Sequence, residues 1–354
     1  MATSSKPGQA ISRRYSLIAA ASVIPLFVVV LLLAWFQFQS QRDQLIEELE
    51  GEVAKHGTLF SNVIGTVRDH IQSLAAWADI YQLDPGLSAE QALSPTAPNR
   101  DHVGENRPDL HSRWRPEDSQ LFSRGEENAL LSEAELGMAE GLVQHMRLAH
   151  QAMPYLRWSY YFADSQRFVT LYPKMQNEAL GGTLRTMPDE QVVETMFAQP
   201  IIARSETEPA ATPSESRPRP NIFRRASYWT QAFLDPAGAG WVVAHASEVP
   251  TGDGSSAVVA TALLLDFLTG FIRAFDYPCG KVWLVNDQRQ ILAASDGRRA
   301  TADGLRLLTL DDVLPEALRR LDTPTLTGAS SRFKTFDDVS VLSRPITATP
   351  WHLL

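Results

Sequence analysis

The chain has 354 residues, a formal net charge of −9, 44% hydrophobic residues and a single cysteine, Cys279. That length accommodates two domains of ordinary size, each with a proper core. The acidic balance argues against nucleic acid or anionic lipid as a partner, and one cysteine excludes an intrachain disulfide.

Residues 1–16 hold Lys6, Arg13 and Arg14 and no acid. Residues 17–36 (LIAAASVIPLFVVVLLLAWF) follow with no ionisable side chain, and thirteen of the twenty are Leu, Ile, Val or Phe. A bilayer core of roughly 30 Å needs about 20 such residues at helical rise. Insertion gains on the order of 4 to 8 kcal/mol on the translocon scale, which outweighs Pro25 and Ser22. A signal peptide is the rival reading, but it has a shorter apolar core and a small-residue cleavage site, whereas Trp35-Phe36-Gln37 stands here. The basic lead fixes the orientation: residues 1–16 cytoplasmic, 17–36 transmembrane and 37–354 extracytoplasmic. With +3 in the lead, −12 remains for the exported part.

Residues 37–83 read as a stalk helix. Leu45, Leu49, Val53, Leu59 or Phe60, Val63, Val67, Ile71, Leu74 and Trp77 or Ala78 recur at steps of three and four, the spacing of one helical face. Two readings stand: a stalk that pairs with a second copy, and a helix lying on its own domain. Residues 84–116 are rich in Pro, Ser and Asn and read as loop.

Residues 126–153 return to a helix that Pro154 stops. Residues 156–163 (LRWSYYFA) and 167–172 (RFVTLY) form a hairpin signal. Residues 199–220, with five prolines, read as a flexible insertion. Strands are expected over 228–235, 241–249 and 257–265, linked by tight turns at Pro236-Ala237-Gly238 and Gly252-Asp253-Gly254. A helix over 266–275 then opens a second, smaller unit. Its expected strands are 281–286, 290–295, 332–336, 339–344 and 352 onward, with a helix over 311–321. The fold class is α+β: a transmembrane helix, a stalk helix and two successive helix-plus-meander domains, 84–265 and 266–354.

Catalytic constellations are absent from the sequence. His145 and His150 are five apart, which turns them about 140° from each other on a helix, so the pair cannot chelate one metal. Gly238-Ala239-Gly240 imitates a dinucleotide fingerprint but leads into a strand. There is no nucleophile elbow, phosphate loop or paired-cysteine motif. No enzyme is expected within this segment.

The blocks Trp158-Ser-Tyr-Tyr-Phe-Ala, Arg167-Phe-Val-Thr-Leu-Tyr-Pro173, Tyr228-Trp-Thr, Phe233-Leu-Asp-Pro-Ala-Gly, Gly240-Trp-Val-Val and Leu265-Asp-Phe-Leu268 together resemble the double Cache extracytoplasmic sensor of bacterial receptors. The resemblance extends to the sensor halves of membrane-bound diguanylate cyclases and histidine kinases through Leu121-Phe-Ser-Arg124 and Arg147-Leu-Ala-His150. It implies two PAS-like domains in the bacterial inner membrane's outer compartment and a ligand in the distal one. It also implies a second transmembrane helix and an output module after Leu354, so the apolar end Trp351-His352-Leu353-Leu354 is expected to be a truncation. No cofactor or metal is implied.

In amino-acid-sensing members an Arg and aromatic residues grip the carboxylate and an Asp takes the ammonium. Arg224 and Arg225 stand near the first place, beside Tyr228 and Trp229; the aspartate position falls on Ala262. An ammonium buried without a carboxylate costs several kcal/mol, so a carboxylate or other small anion is the expected ligand. The candidate ligand-binding set is Tyr160, Tyr172, Arg224, Arg225, Tyr228, Trp229, Phe233 and His245. Against it stands the reading that these aromatics are core, the arginines solvated and His245 a satisfied strand residue. Two functions remain: a ligand-sensing receptor, including a chemoreceptor sensor, and an anchored binding protein without its own output.

Overall fold

The computed structural model describes residues 7–83, 118–123, 133–163, 168–174, 227–235, 238, 240–250, 256–275, 280–319, 332–336, 339–347 and 349–354. The expected loop over 84–116, the insertion over 199–220 and residues Arg224, Arg225 and Cys279 lie outside them. The chain divides into two compact units, residues 1–56 and 57–354.

One helix, α1 (Pro7–Leu83), covers both the expected transmembrane segment and the stalk. In the first unit the large apolar side chains from Val23 to Phe38 stand clear of protein, with Leu26 66% and Phe36 75% exposed. Among the described residues this is the one stretch long and apolar enough to cross a membrane. Pro25 sits inside it. In water an interior proline costs about 3 kcal/mol; in a membrane-spanning helix it is tolerated.

In the second unit, Phe60, Ile64, Val67, Ile71, Leu74, Ala78 and Tyr81 of α1 are buried. Their steps of four and three make one continuous stripe. Between 59 and 78 the stripe differs from the expected one only in that Ile64 is buried and Val63 partly so; Tyr81 extends it, and the expected Leu45, Leu49 and Val53 are not buried. Between 71 and 81 the stripe packs on its own domain, with α2 (Glu133–Ala152) and the first sheet. Gly141 permits the close approach, because a Cβ there would meet the Tyr81 ring at 2.7 Å.

The first sheet contains β1 (Gln120–Ser123), β2 (Leu156–Ala163), β3 (Phe168–Tyr172), β4 (Ser227–Trp229), β5 (Phe233–Leu234), β6 (Trp241–Pro250) and β7 (Ser256–Leu264). Its order is β1-β3-β2-β7-β6-β4, with β5 also on β6, and every pairing is antiparallel. The expected strand over 228–235 is two short pieces. Thr230 separates them, and its hydroxyl accepts the Ala244 N–H at 2.9 Å, replacing a ladder bond with a side-chain one.

Helix α3 (Leu265–Arg273) opens the second module and lays Phe267 against Tyr155 and Phe271 against Phe60, with ring centroids 4.5 and 5.5 Å apart. The second sheet holds β8 (Trp283–Val285), β9 (Ile291–Ala294), β10 (Arg332–Phe336), β11 (Val339–Pro345) and β12 (His352–Leu353) in the order β10-β11-β12-β8-β9. The expected helix over 311–321 is broken into α4 (Leu310–Val313) and α5 (Glu316–Arg319). Pro315 stands between them and has no N–H to continue the ladder.

The two sheets share one circuit. Counted from β2, the first runs second, first, fifth, fourth, third, with β4 and β5 taken as the broken third strand. Counted from β8, the second runs the same way. The class is therefore α+β, an N-terminal apolar helix followed by two antiparallel sheets.

Candidate functional site

Period-two alternation gives the first sheet two unlike faces. One face packs under α1 and α2. The other gathers Trp158, Tyr160, Phe162, Val169, Leu171, Tyr228, Val242, Ala244, Ala246, Val258, Ala260 and Ala262 in a separate cluster, with Phe233 against it.

Register places Leu171, Tyr160, Ala260, Ala246 and Tyr228 in a single rung across β3, β2, β7, β6 and β4. Two tyrosines thus bracket two alanines. Three strand spacings separate their backbones, about 14 Å, and the ring of each spans part of that gap. The next rung sets Trp158 beside Ala262 and Ala244. The result is a floor of methyl groups walled by aromatic rings.

Burial, reinforced by the Tyr228 phenol, pushes the Tyr160 hydroxyl above its ordinary range. It therefore stays protonated and offers a hydrogen-bond donor at neutral pH. Alternation along β6 sets Glu248 on this same face at its exposed end, paired with Val258. It is a carboxylate that the sequence reading passed over.

A buried clamp braces the wall. Asp235, whose side chain is 1% exposed, accepts the Trp158 indole N–H at 3.2 Å and the Arg157 Nε–H at 3.3 Å. The Arg157 guanidinium lies 4.2 Å from the Trp158 ring centroid, a cation–π arrangement. Asp235 also closes the β5–β6 turn: its N–H donates to Gly240 at 2.7 Å and its carbonyl accepts from Gly238 at 2.8 Å. The turn role is visible in the sequence; the clamp joins positions 77 apart and leaves no local signal.

The candidate residues divide between the faces. Tyr160, Tyr228 and Phe233 share the aromatic face. Tyr172, Trp229 and His245 lie on the helix face, where the rung runs Tyr172, Ser159, Thr261, His245, Trp229. His245 is 2% exposed, and burial with the Arg68 charge pushes its imidazole down to about 3. Its ring lies 4.6 Å from that of Trp229, which is itself 4.6 Å from Trp351 of the second module. Among the described residues no cluster of three His, Cys, Asp or Glu is placed to hold a metal.

No protein-family model matches the chain, and no curated protein matches it by sequence. Among solved structures, it is similar to the ligand-binding domain of the Pseudomonas fluorescens chemoreceptor CtaA, solved with L-serine. That match has 16% identity over 64% of this chain and 81% of that one, with a TM-score of 0.37. The ligand-binding domain of the Pseudomonas aeruginosa amino-acid chemoreceptor PctC, solved with GABA, is 17% identical. It covers 86% of this chain and 98% of that one, with a TM-score of 0.38.

Proposed function

We propose that this chain is the ligand-sensing region of a transmembrane signal-transduction receptor of the double Cache kind. Its lead lies in the cytoplasm, residues 17–36 of α1 cross the bacterial inner membrane and residues 37–354 face outward. The ligand is a small carboxylate or comparable anion, received on the aromatic face of the first sheet. Arg225, with Arg224 beside it, supplies the cation, and the Tyr160 and Tyr228 hydroxyls supply neutral donors. A bidentate guanidinium is the natural partner of a carboxylate.

The observation that carries this reading is the rung Tyr160–Ala260–Ala246–Tyr228. The sheet's other face is spent on helix packing, while this one combines small floor residues with two phenols, the composition of a small-molecule site. The membrane-length apolar stretch of α1 supports the anchored arrangement. Signalling follows if ligand favours one of two arrangements of α1 against the sheet, read by a histidine kinase, a diguanylate cyclase or a chemoreceptor module. A second copy pairs through the stalk, residues 37–83, where that helix is not packed on its own domain.

The test is thermal shift and calorimetry on the detergent-solubilised chain, against mono- and dicarboxylates, inorganic anions and the free amino acids. A carboxylate hit is expected to weaken at least tenfold in Tyr160→Phe or Tyr228→Phe and to vanish in Arg225→Ala. Absence of any hit rejects the reading. A hit that survives Arg225→Ala shows the pocket assignment to be wrong, and one that demands an α-ammonium group and is lost in Glu248→Gln replaces the anion with a zwitterion.

A further inference from the structure

Four of the eight histidines in the chain, His70, His145, His150 and His245, lie on the helix side of the first sheet, away from the aromatic face. His70 belongs to α1, His145 and His150 to α2 and His245 to β6. The Trp77 ring of α1 stacks on His145 with centroids 4.3 Å apart, and the Tyr81 hydroxyl lies 3.3 Å from His145 Nε2. His150 Nε2 lies 3.0 Å from the Ser159 hydroxyl, which lies 2.8 Å from that of Thr261. His70 Nε2 and His245 Nδ1 are buried with no hydrogen-bond partner. Aromatic stacking ties His145 of α2 to α1, and a short hydroxyl chain ties His150 of α2 to the sheet.

The charges around this layer favour neutral rings. From α1, Arg68 faces His245, and its charge opposes a proton there. Asp79, also on α1, and Glu140 on α2 are buried and already engaged. From the segment before β1, Asp118 is taken by Arg147 of α2 through two bonds of 2.5 and 2.6 Å. From β3, Tyr172 packs edge-on against His150 at 5.0 Å.

We propose that this layer is an acid-released latch: the neutral histidines hold residues 67–81 of α1 against the first sheet and α2, and protonation frees that segment. Charging an imidazole is costly in this layer, where His245 is buried, the other three rings are partly buried and, among the described residues, no carboxylate is paired with them. Protons on His70, His145 and His150 also repel one another, as His70 feels the charge of both others.

Burial accordingly pushes His70 and His150 down to about 4 and lowers His145. The sign follows. Each ring has a docked value below its free value of about 6.5, so the docked state is fully favoured above that pH and loses ground as pH falls toward 4. Each histidine that takes a proton on release changes the opening equilibrium by up to about tenfold per pH unit, so several acting together give a steep response. The latch requires no ligand and is independent of what the aromatic face binds.

Hydrogen-exchange mass spectrometry on the full chain in detergent, at pH 7.5 and 5.0 with intrinsic rates corrected, tests it. Peptides from 67–81 are expected to lose protection by about 100-fold or more at pH 5.0, while strands β8 and β9 keep theirs. The His70→Gln, His150→Gln double variant is expected to keep 67–81 protected at pH 5.0. Equal protection of 67–81 at both pH values overturns the proposal. So does parallel loss in β8 and β9, or a double variant that opens like the natural chain. Should the variant not fold, histidine ring signals followed by NMR in the natural chain decide: rings that titrate near 6.5 without loss of α1 protection overturn the latch.

Discussion

Removing the Asp235 carboxylate is the sharpest test of how the aromatic wall is held. In Asp235→Ala the Trp158 indole N–H, on a residue 6% exposed, loses the acceptor 3.2 Å away. An orphaned buried donor costs about 1–3 kcal/mol. Arg157, with 26% of its side chain exposed, can turn toward water, so its loss adds no more than about 1 kcal/mol. The sum is about 1–4 kcal/mol. At about 2–4 °C per kcal/mol for a domain of this class, melting falls by about 2–16 °C. Asp235→Asn keeps an acceptor and loses only the charge assistance, so about 1 kcal/mol is expected. Thermal unfolding of the solubilised chain gives the order, and Trp emission reports the indole's surroundings. Equal melting of both variants with the natural chain, or a larger loss in Asn than in Ala, refutes the clamp.

Other substitutions probe the packing. Gly141→Ala drives a methyl into the buried Tyr81 ring and is expected to cost about 1–3 kcal/mol. Gly57→Ala, whose methyl would meet the flexible Arg344 side chain at 2.7 Å, should cost less than half as much; the reverse order in a melting assay contradicts the α1–α2 contact. Trp229→Ala removes the ring between His245 and Trp351 and is expected to cost about 3 kcal/mol. Faster hydrogen exchange at 349–354 should accompany it, and unchanged exchange there means the modules do not communicate through this ring. Asp312 receives the Thr309 N–H at 2.7 Å and the Arg306 guanidinium at 3.0 Å, which with the Thr309 hydroxyl hold its carboxyl at about 2. A depressed carboxyl stabilises above its free value and loses that contribution as pH falls toward 2. Asp312→Ala should therefore cost about 1 kcal/mol at pH 7 and clearly less at pH 2, read by denaturant titration at the two pH values.

Alternation made the strand faces legible. Trp158, Tyr160 and Phe162 separate from Tyr161 in the sequence and in the packed sheet alike. From 59 to 78 the stripe of α1 was legible to within one residue, because steps of three and four fix a face but not which of two neighbours points most squarely inward; the same period at Leu45, Leu49 and Val53 does not mark burial. The division of the candidate site was less so: Tyr228 and Trp229 are adjacent, and adjacency in a strand means opposite faces. Composition brought them together where the pleat separates them. β1 is four residues long and carries too short a pattern to register. The helix angle between His145 and His150 is a property of α2 alone, whereas His70 arrives from another helix, and no spacing announces it. Strand order, the Asp235 clamp and the histidine layer all depend on contacts distant in sequence.

The repeated circuit has a consequence for how such a chain is assembled. Leaving aside the edge strand β1, in each sheet the opening and closing strands of the shared circuit lie side by side at the centre, β2 against β7 and β8 against β12. A module built this way enters and leaves at neighbouring points. The circuit itself can be copied or joined to another chain at one seam, because its two ends need no long connection to meet.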